Sequence, residues 1–70
     1  MDTLNELDVV ALLRDRPDLG VRRGWVGTLL LELSPGVWEV EFADRGGRTV
    51  TTAPIEADEL LLLHLDPALT

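Results

Sequence analysis

Hydrophobic and polar residues alternate most regularly in the middle of the chain. Trp38, Val40 and Phe42 occupy every second position there, and Glu39 and Glu41 stand between them. Successive side chains of a β-strand point to opposite faces, so this pattern predicts a strand with one apolar face and one charged face. The two glutamates are therefore expected in solvent and the three apolar residues in the core.

Turn-forming residues divide the rest of the chain into short segments. Strands are predicted at residues 8–13, 25–33, 37–43, 48–53 and 60–65. A long irregular loop at 14–24 follows the first strand, and a single helical turn at 55–59 precedes the last one. Pro54 is expected to end the fourth strand, because proline has no N–H to donate to a sheet.

Five short strands with so little helix predict an all-β fold. We expect one domain, residues 1–70 with its core at about 6–65, that forms a small five-stranded SH3-like barrel with one short helical turn before the last strand. Closing a sheet on itself suits a short chain, since closure limits exposed strand edges. The alternative is an open five-stranded sheet that a partner completes.

Two of the predicted strands carry apolar residues on both faces. In the second strand Trp25 alternates with glycine and leucines while Leu30 stands on the opposite face, and the last strand is a run of leucines. A small barrel interior holds only one face, so either the chain's own tail or another protein must cover the excess. The residues assigned to such a protein interface are Trp25, Arg22, Arg23, Leu29, Leu31, Leu61 and Leu63. Those assigned to the core are Val26, Trp38, Val40 and Phe42.

Composition narrows the class of partner. The 70 residues include thirteen acidic residues against six arginines and no Lys, a net charge of −7. Nucleic-acid binding needs clustered cations, so this charge argues against a phosphate-binding surface. The acidic residues are expected chiefly as solvated surface, and an acidic face that meets a basic partner is the alternative. No apolar run reaches about 18 residues, so no membrane span is expected. The acidic start lacks the basic and apolar parts of a secretion signal, and we expect a cytoplasmic protein.

No catalytic, metal or cofactor site is predicted. The chain has no Cys and one His, too few ligands for a structural zinc site. No Ser or Cys stands at a spacing from His64 that predicts a nucleophile with its base. Gly24 and Gly27 precede neither a helix nor a Lys, so they do not form a phosphate loop. Gly27 is expected instead to allow a close approach of two backbones or a bulge.

Several segments together resemble one bacterial family. They are residues 7–12, 24–29, 38–42 and 47–49, with Asp44 and Leu60. In this order and spacing they resemble the family called domain of unknown function 4926, over roughly residues 6–62. The resemblance implies an SH3-like barrel and brings no established activity. The chain departs from the family pattern at Trp25, where a polar residue is usual, and at 60–63, where the family becomes polar sooner.

These observations predict a non-catalytic protein-binding module. A homodimer is the simplest use of excess apolar surface, because a self-complementary patch needs no second protein. A second form of the hypothesis is the antitoxin or immunity member of a gene pair, in which the negative charge would steer the chain to a basic toxin. The alternative from another class is an RNA-associated barrel similar to ribosomal KOW-type domains.

Overall fold

The computed structural model describes residues 3–64, which fold into five antiparallel strands. The elements are β1 Val9–Leu12, β2 Val26–Ser34, β3 Val37–Ala43, β4 Thr49–Glu56, a 3₁₀ turn Ala57–Glu59 and β5 Leu60–Leu62. The strands lie in the order β4-β3-β2-β1-β5. The predicted all-β, five-stranded SH3-like fold with one short helical turn before its last strand is confirmed, and β4 and β5 are the two outermost strands of the described sheet. That strand ends at Leu62, and residue 65 and the tail after it lie outside the described residues.

One face of the sheet packs into a continuous apolar core. Trp38, Val40 and Phe42 of β3 are buried, in agreement with the alternation of that strand. The other strands contribute Val10, Leu12, Leu29, Ala53, Ile55 and Leu60. The loop between β1 and β2 adds Val21, which an antiparallel bridge to Arg16 holds in place. The loop is therefore a packed part of the fold rather than an irregular excursion.

A tight hairpin joins β2 to β3. Pro35 and Gly36 form the whole connection, and Gly36 has a φ of 79°, in the left-handed region that glycine adopts without steric cost. The Gly36 carbonyl accepts a hydrogen bond from the Ala57 N–H at 2.8 Å. The hairpin is thereby tied to the 3₁₀ turn, which follows β4 directly beside the start of β3.

Pro54 does not end β4, contrary to the expectation from its missing N–H. β4 continues to Glu56, and Pro54 pairs with Glu39 of β3. β4 lies at the edge of the described sheet, and an edge strand tolerates proline because one side of it needs no ladder partner. The helical turn consequently starts at Ala57, two residues later than predicted. The extra strand length carries Ile55 into the core.

A bulge in β2 changes which residues face the core. The register with β3 shifts between Leu29 and Leu31. Leu29 pairs with Val40 and is buried, whereas Leu31 pairs with Glu39 and is exposed. An inserted residue turns the next side chain to the other face of the sheet. The strict alternation expected for β2 therefore breaks at Leu30.

Candidate functional site

The outer face of the sheet carries an apolar surface that crosses three strands. Ala11 of β1 pairs with Val26 of β2 on one side and with Leu61 of β5 on the other. Paired residues of antiparallel strands point to the same face, so the three side chains lie side by side in a row. Val26 is 44% and Leu61 is 50% exposed. This row and its neighbours form what we call the outer patch: Val9, Ala11, Leu13, Val26, Leu61 and Leu63.

The neighbours extend the row along β1. Val9 and Leu13 alternate with the buried Val10 and Leu12, which places them on the outer face. The Leu63 N–H donates to the Val9 carbonyl at 2.9 Å, so Leu63 continues β5 beside Val9. The patch contains no charged member, and Leu13, Val26 and Leu61 are exposed to solvent. A contiguous apolar surface of this kind is typical of a protein–protein interface.

Two residues exchange their predicted roles. Leu29, predicted at the interface, is fully buried, because its pairing with the buried Val40 puts it on the core-facing side of the sheet. Val26, predicted in the core, is exposed, because its pairing with Ala11 puts it on the outer face. The alternation along β2 separates these two residues correctly. The face that turns inward is the one that carries Gly27 and Leu29.

The remaining leucines of the predicted interface do not all come together. Leu61 and Leu63 are members of the outer patch. Leu31 lies on the same face but beyond the bulge of β2, opposite the charged Glu39. The structure therefore assigns Leu61 and Leu63 to one apolar surface and leaves Leu31 outside it.

Trp25 is half-buried and covers one end of the core. Its ring contacts that of Phe42 edge-to-face, with 6.1 Å between ring centroids and 63° between the planes. The Trp25 carbonyl accepts a hydrogen bond from the Leu12 N–H at 2.8 Å. Trp25 contributes to the packing of the core and is not a member of the outer patch.

Arg22 and Arg23 lie exposed in the loop that leads into β2. The Arg22 carbonyl accepts from the Trp25 N–H at 3.1 Å, and the Arg23 N–H donates to Asp15 Oδ1 at 2.9 Å. Within residues 3–64 neither guanidinium forms an ion pair. The backbone of this loop is thus fixed while its two cationic groups face solvent.

An ion-pair cluster that the sequence did not predict holds the β1–β2 loop against the connection from β4 to β5. Arg16 Nη1 donates to Glu56 Oε2 at 2.8 Å and to Glu59 Oε1 at 2.6 Å. Arg16 also binds both carboxylate oxygens of Asp18, through Nε at 3.1 Å and Nη2 at 3.0 Å. Arg14 Nε lies 3.5 Å from Glu59. The two glutamates are 40 and 43 residues from Arg16, so no local pattern could have signalled the cluster.

The cluster favours the charged form of two of its carboxyl groups, Asp18 and Glu56. Hydrogen bonds from the Arg16 guanidinium lower the pKa of Asp18 from its ordinary 3.8. The backbone N–H of Glu56 itself, and then Arg16, lower the pKa of Glu56 from its ordinary 4.5. A carboxyl group whose pKa is lower in the folded state stabilises that state above its unfolded pKa. This contribution is fully present near neutral pH and is lost as the pH falls below these ordinary values.

Removal of the Arg16 charge tests the cluster. Arg16→Met keeps an unbranched apolar chain in place of the aliphatic stem of the arginine and removes the guanidinium, and we expect it to lower the Tm at neutral pH because the three carboxylates lose their common partner. The difference in Tm from the unmodified protein should shrink as the pH falls from about 5 towards 2, since protonated carboxyl groups gain nothing from the guanidinium. Thermal unfolding followed by circular dichroism measures both quantities.

The matched control for this change is Arg45→Met. Arg45 is exposed in the β3–β4 loop and has no ion pair within the described residues, so its loss should leave the Tm and its pH dependence unchanged. A Tm difference for Arg16→Met that stays constant down to pH ~2 would contradict the electrostatic explanation. It would assign the effect to packing of the aliphatic stem.

The described residues show neither a metal-binding group nor a membrane-spanning helix. No set of three or more His, Asp or Glu side chains within residues 3–64 is placed to hold a metal ion. No helix in that part of the chain has the length and apolar character to cross a membrane.

A comparison with protein-family models gives one assignment for almost the whole described chain. The model described as Domain of unknown function (DUF4926) matches residues 6–62. This match includes all the strands from Val9 to Leu62. No curated protein and no solved structure matches the chain.

Proposed function

The chain belongs to the family called domain of unknown function 4926, and we propose that it is a non-catalytic protein-binding module that pairs with a second copy of itself through the outer patch. The observation that carries this proposal is the row of Val26, Ala11 and Leu61 across the solvent face of three strands. Burial of such side chains against a partner removes apolar surface from water, and that transfer is the main driving force of association.

The distribution of charge favours the outer patch as the place where two copies meet. Each copy carries a net charge of −7, so two copies repel each other over most of their surfaces. The outer patch has no charged member, so contact there places apolar side chains and not like charges against each other. A two-fold axis through the patch places Val26 and Leu61 of one copy against the same residues of the other, so a single gene product suffices.

The size of the patch limits the strength of the dimer. A standard stable interface buries about 800 Å² on each partner, and six side chains supply only part of such an area. We therefore expect a dimer that dissociates on dilution, with a Kd of about 10–100 µM. An antitoxin or immunity role is a narrower form of the same proposal, which the negative charge supports by steering towards a basic partner.

A charge placed in the row should weaken pairing. Val26→Glu puts a carboxylate within the proposed interface, where it would lose water without gaining a partner, and we expect an association constant at least about tenfold lower. The matched control is Val50→Glu on β4, since Val50 is 52% exposed and lies outside the outer patch. Sedimentation velocity measures the fraction of dimer. The protein concentration is ~200 µM, above the Kd range expected for an interface of this size.

Circular dichroism shows whether each variant remains folded. We expect both variants to fold, because neither Val26 nor Val50 is buried. Equal association of Val26→Glu and the unmodified protein would contradict the proposed interface. Equal loss of association in both variants would also contradict it, because added negative charge alone would then explain the effect.

The structure gives the RNA-associated alternative less support. Arg16 is already bound by three carboxylates, which leaves Arg22 and Arg23 as the adjacent exposed cations of the β1–β2 loop. Two cations against a net charge of −7 provide little attraction for a phosphate backbone.

A further inference from the structure

A groove of about 790 Å³ opens between β5, the 3₁₀ turn and the β2–β3 hairpin. Its apolar lining includes Trp38, which is 6% exposed, and Leu60, with Leu62 and Ala57 beside them and Leu4 at the N-terminal side. Ligand sites in proteins usually have volumes of about 300–1,000 Å³. The groove is therefore large enough to accept several side chains of another molecule.

Hydrogen bonds fix the walls of this groove. The Ala57 N–H donates to the Gly36 carbonyl at 2.8 Å and joins the 3₁₀ turn to the hairpin. The Gly36 N–H in turn donates to Glu32 Oε2 at 3.1 Å. Arg16 holds Glu56, another lining residue, at 2.8 Å. A site with fixed walls loses little conformational entropy when it is filled.

The charges around the groove select its occupant. Glu32, Glu56 and Asp58 line it, and neither Lys nor Arg does so within the described residues. Glu56 is paired with Arg16, whereas Glu32 and Asp58 form no ion pair within residues 3–64. An apolar lining beside two uncompensated carboxylates is complementary to an apolar side chain flanked by cations.

We propose that this groove binds an extended cationic segment of a different protein. An apolar side chain of that segment packs on Trp38 and Leu60, and its Arg or Lys groups pair with Glu32 and Asp58. All three residues of β5 line the groove, and β5 has β1 as its neighbour on one side in the described sheet. An extended segment laid in the groove can therefore also pair with the open edge of β5.

A second copy of this chain is the less suitable occupant. A second copy carries a net charge of −7 and is repelled by the acidic groove, whereas a cationic partner is attracted to the groove. The inward-facing Trp38 and Leu60 define the groove, and the outward-facing Val26 belongs to the outer patch, so the two proposals concern different faces. Leu61 borders both surfaces and is left unchanged in the tests.

Tryptophan fluorescence can report on the groove directly. The chain has two tryptophans, and Trp25→Phe leaves Trp38 as the reporter while it keeps an aromatic ring against Phe42. The probe is an amidated heptapeptide with leucines at its centre and two arginines at each end. At ~5 µM protein, below the expected Kd of self-association, the peptide should shift the emission of Trp38 with a Kd of about 10–100 µM. A peptide of the same pattern with glutamates in place of the arginines should cause no shift.

Paired charge removals then identify the contact. Glu32→Gln with Asp58→Asn removes two charges at the groove, and we expect peptide binding to weaken at least about tenfold. The control, Glu39→Gln with Glu41→Gln, removes the same charge from the outer face of β3 and should change the Kd less than about twofold.

Three results would overturn the groove proposal. The first is the absence of any change in Trp38 emission up to ~1 mM peptide, far above the expected Kd. The second is equal binding of the arginine and glutamate peptides. The third is equal weakening by the two double variants, which would assign binding to the net charge. None of these results depends on whether the protein pairs with itself.

Discussion

Phe42→Ala is expected to remove a large part of the free energy of unfolding of the protein at 25 °C. Phe42 is fully buried, and its ring contacts Trp25 edge-to-face. Truncation of a buried Phe to Ala costs about 3–5 kcal/mol through lost transfer free energy and the cavity that remains. The whole free energy of unfolding of a domain of this size is about 4–10 kcal/mol, so the change removes much or all of it.

Urea unfolding followed by circular dichroism measures this loss against the unmodified protein. Phe42→Leu is the matched control, because leucine is apolar and keeps more of the side-chain volume than alanine does. Its free energy of unfolding should lie well between those of the unmodified protein and Phe42→Ala. A free energy of unfolding within about 1 kcal/mol of the unmodified value for Phe42→Ala would contradict the central place of this ring in the core.

Gly27→Ala is expected to lower the free energy of unfolding by about 1–3 kcal/mol, because β2 and β3 meet too closely there for a side chain. A Cβ at Gly27 would lie 2.6 Å from Val40 Cγ1 and 2.9 Å from the Glu41 carbonyl oxygen. Val40 is buried and branched at Cβ, and Glu41 is held in the β2–β3 and β3–β4 ladders, so neither can move away easily. The loss of stability therefore arises because a methyl group at this position has no space between β2 and β3.

Gly46→Ala separates this effect from the general consequence of replacing glycine. A Cβ at Gly46 would lie 3.4 Å from Asp44 Oδ1, and the residue is exposed in the β3–β4 loop. This control should be neutral or slightly stabilising, because alanine restricts the unfolded chain. Equal unfolding free energies of the Gly27→Ala and Gly46→Ala variants, from the same urea experiment, would contradict the close approach at Gly27.

The parts of the fold that follow from local pattern were predictable, and β3 is the clearest case. Trp38 and Phe42 are buried and the strand has the predicted bounds, because two-residue alternation is a direct consequence of strand geometry. The continuation of β4 through Pro54 was not predictable. The effect of proline depends on whether the strand lies at the edge of the sheet, which is a property of the whole topology.

The candidate site was predictable in part, for the same reason. The excess of leucines in the last strand indicated an exposed apolar surface, and Leu61 and Leu63 do belong to the outer patch. The exchange of Val26 and Leu29 shows that alternation sorts residues into two faces without telling which one is inside. That choice depends on pairing with β1 and β3. The Arg16 cluster joins segments 40 and more residues apart and leaves no local signal.

The proposal that the outer patch is a self-association surface is tested most directly by the solution mass of the unmodified protein. Multi-angle light scattering from ~5 µM to ~500 µM spans the expected Kd. The monomer mass is 7.7 kDa, and we expect the weight-average mass to rise with concentration towards twice that value. A mass that stays at the monomer value up to the highest concentration would contradict the proposal and leave the outer patch without a partner copy.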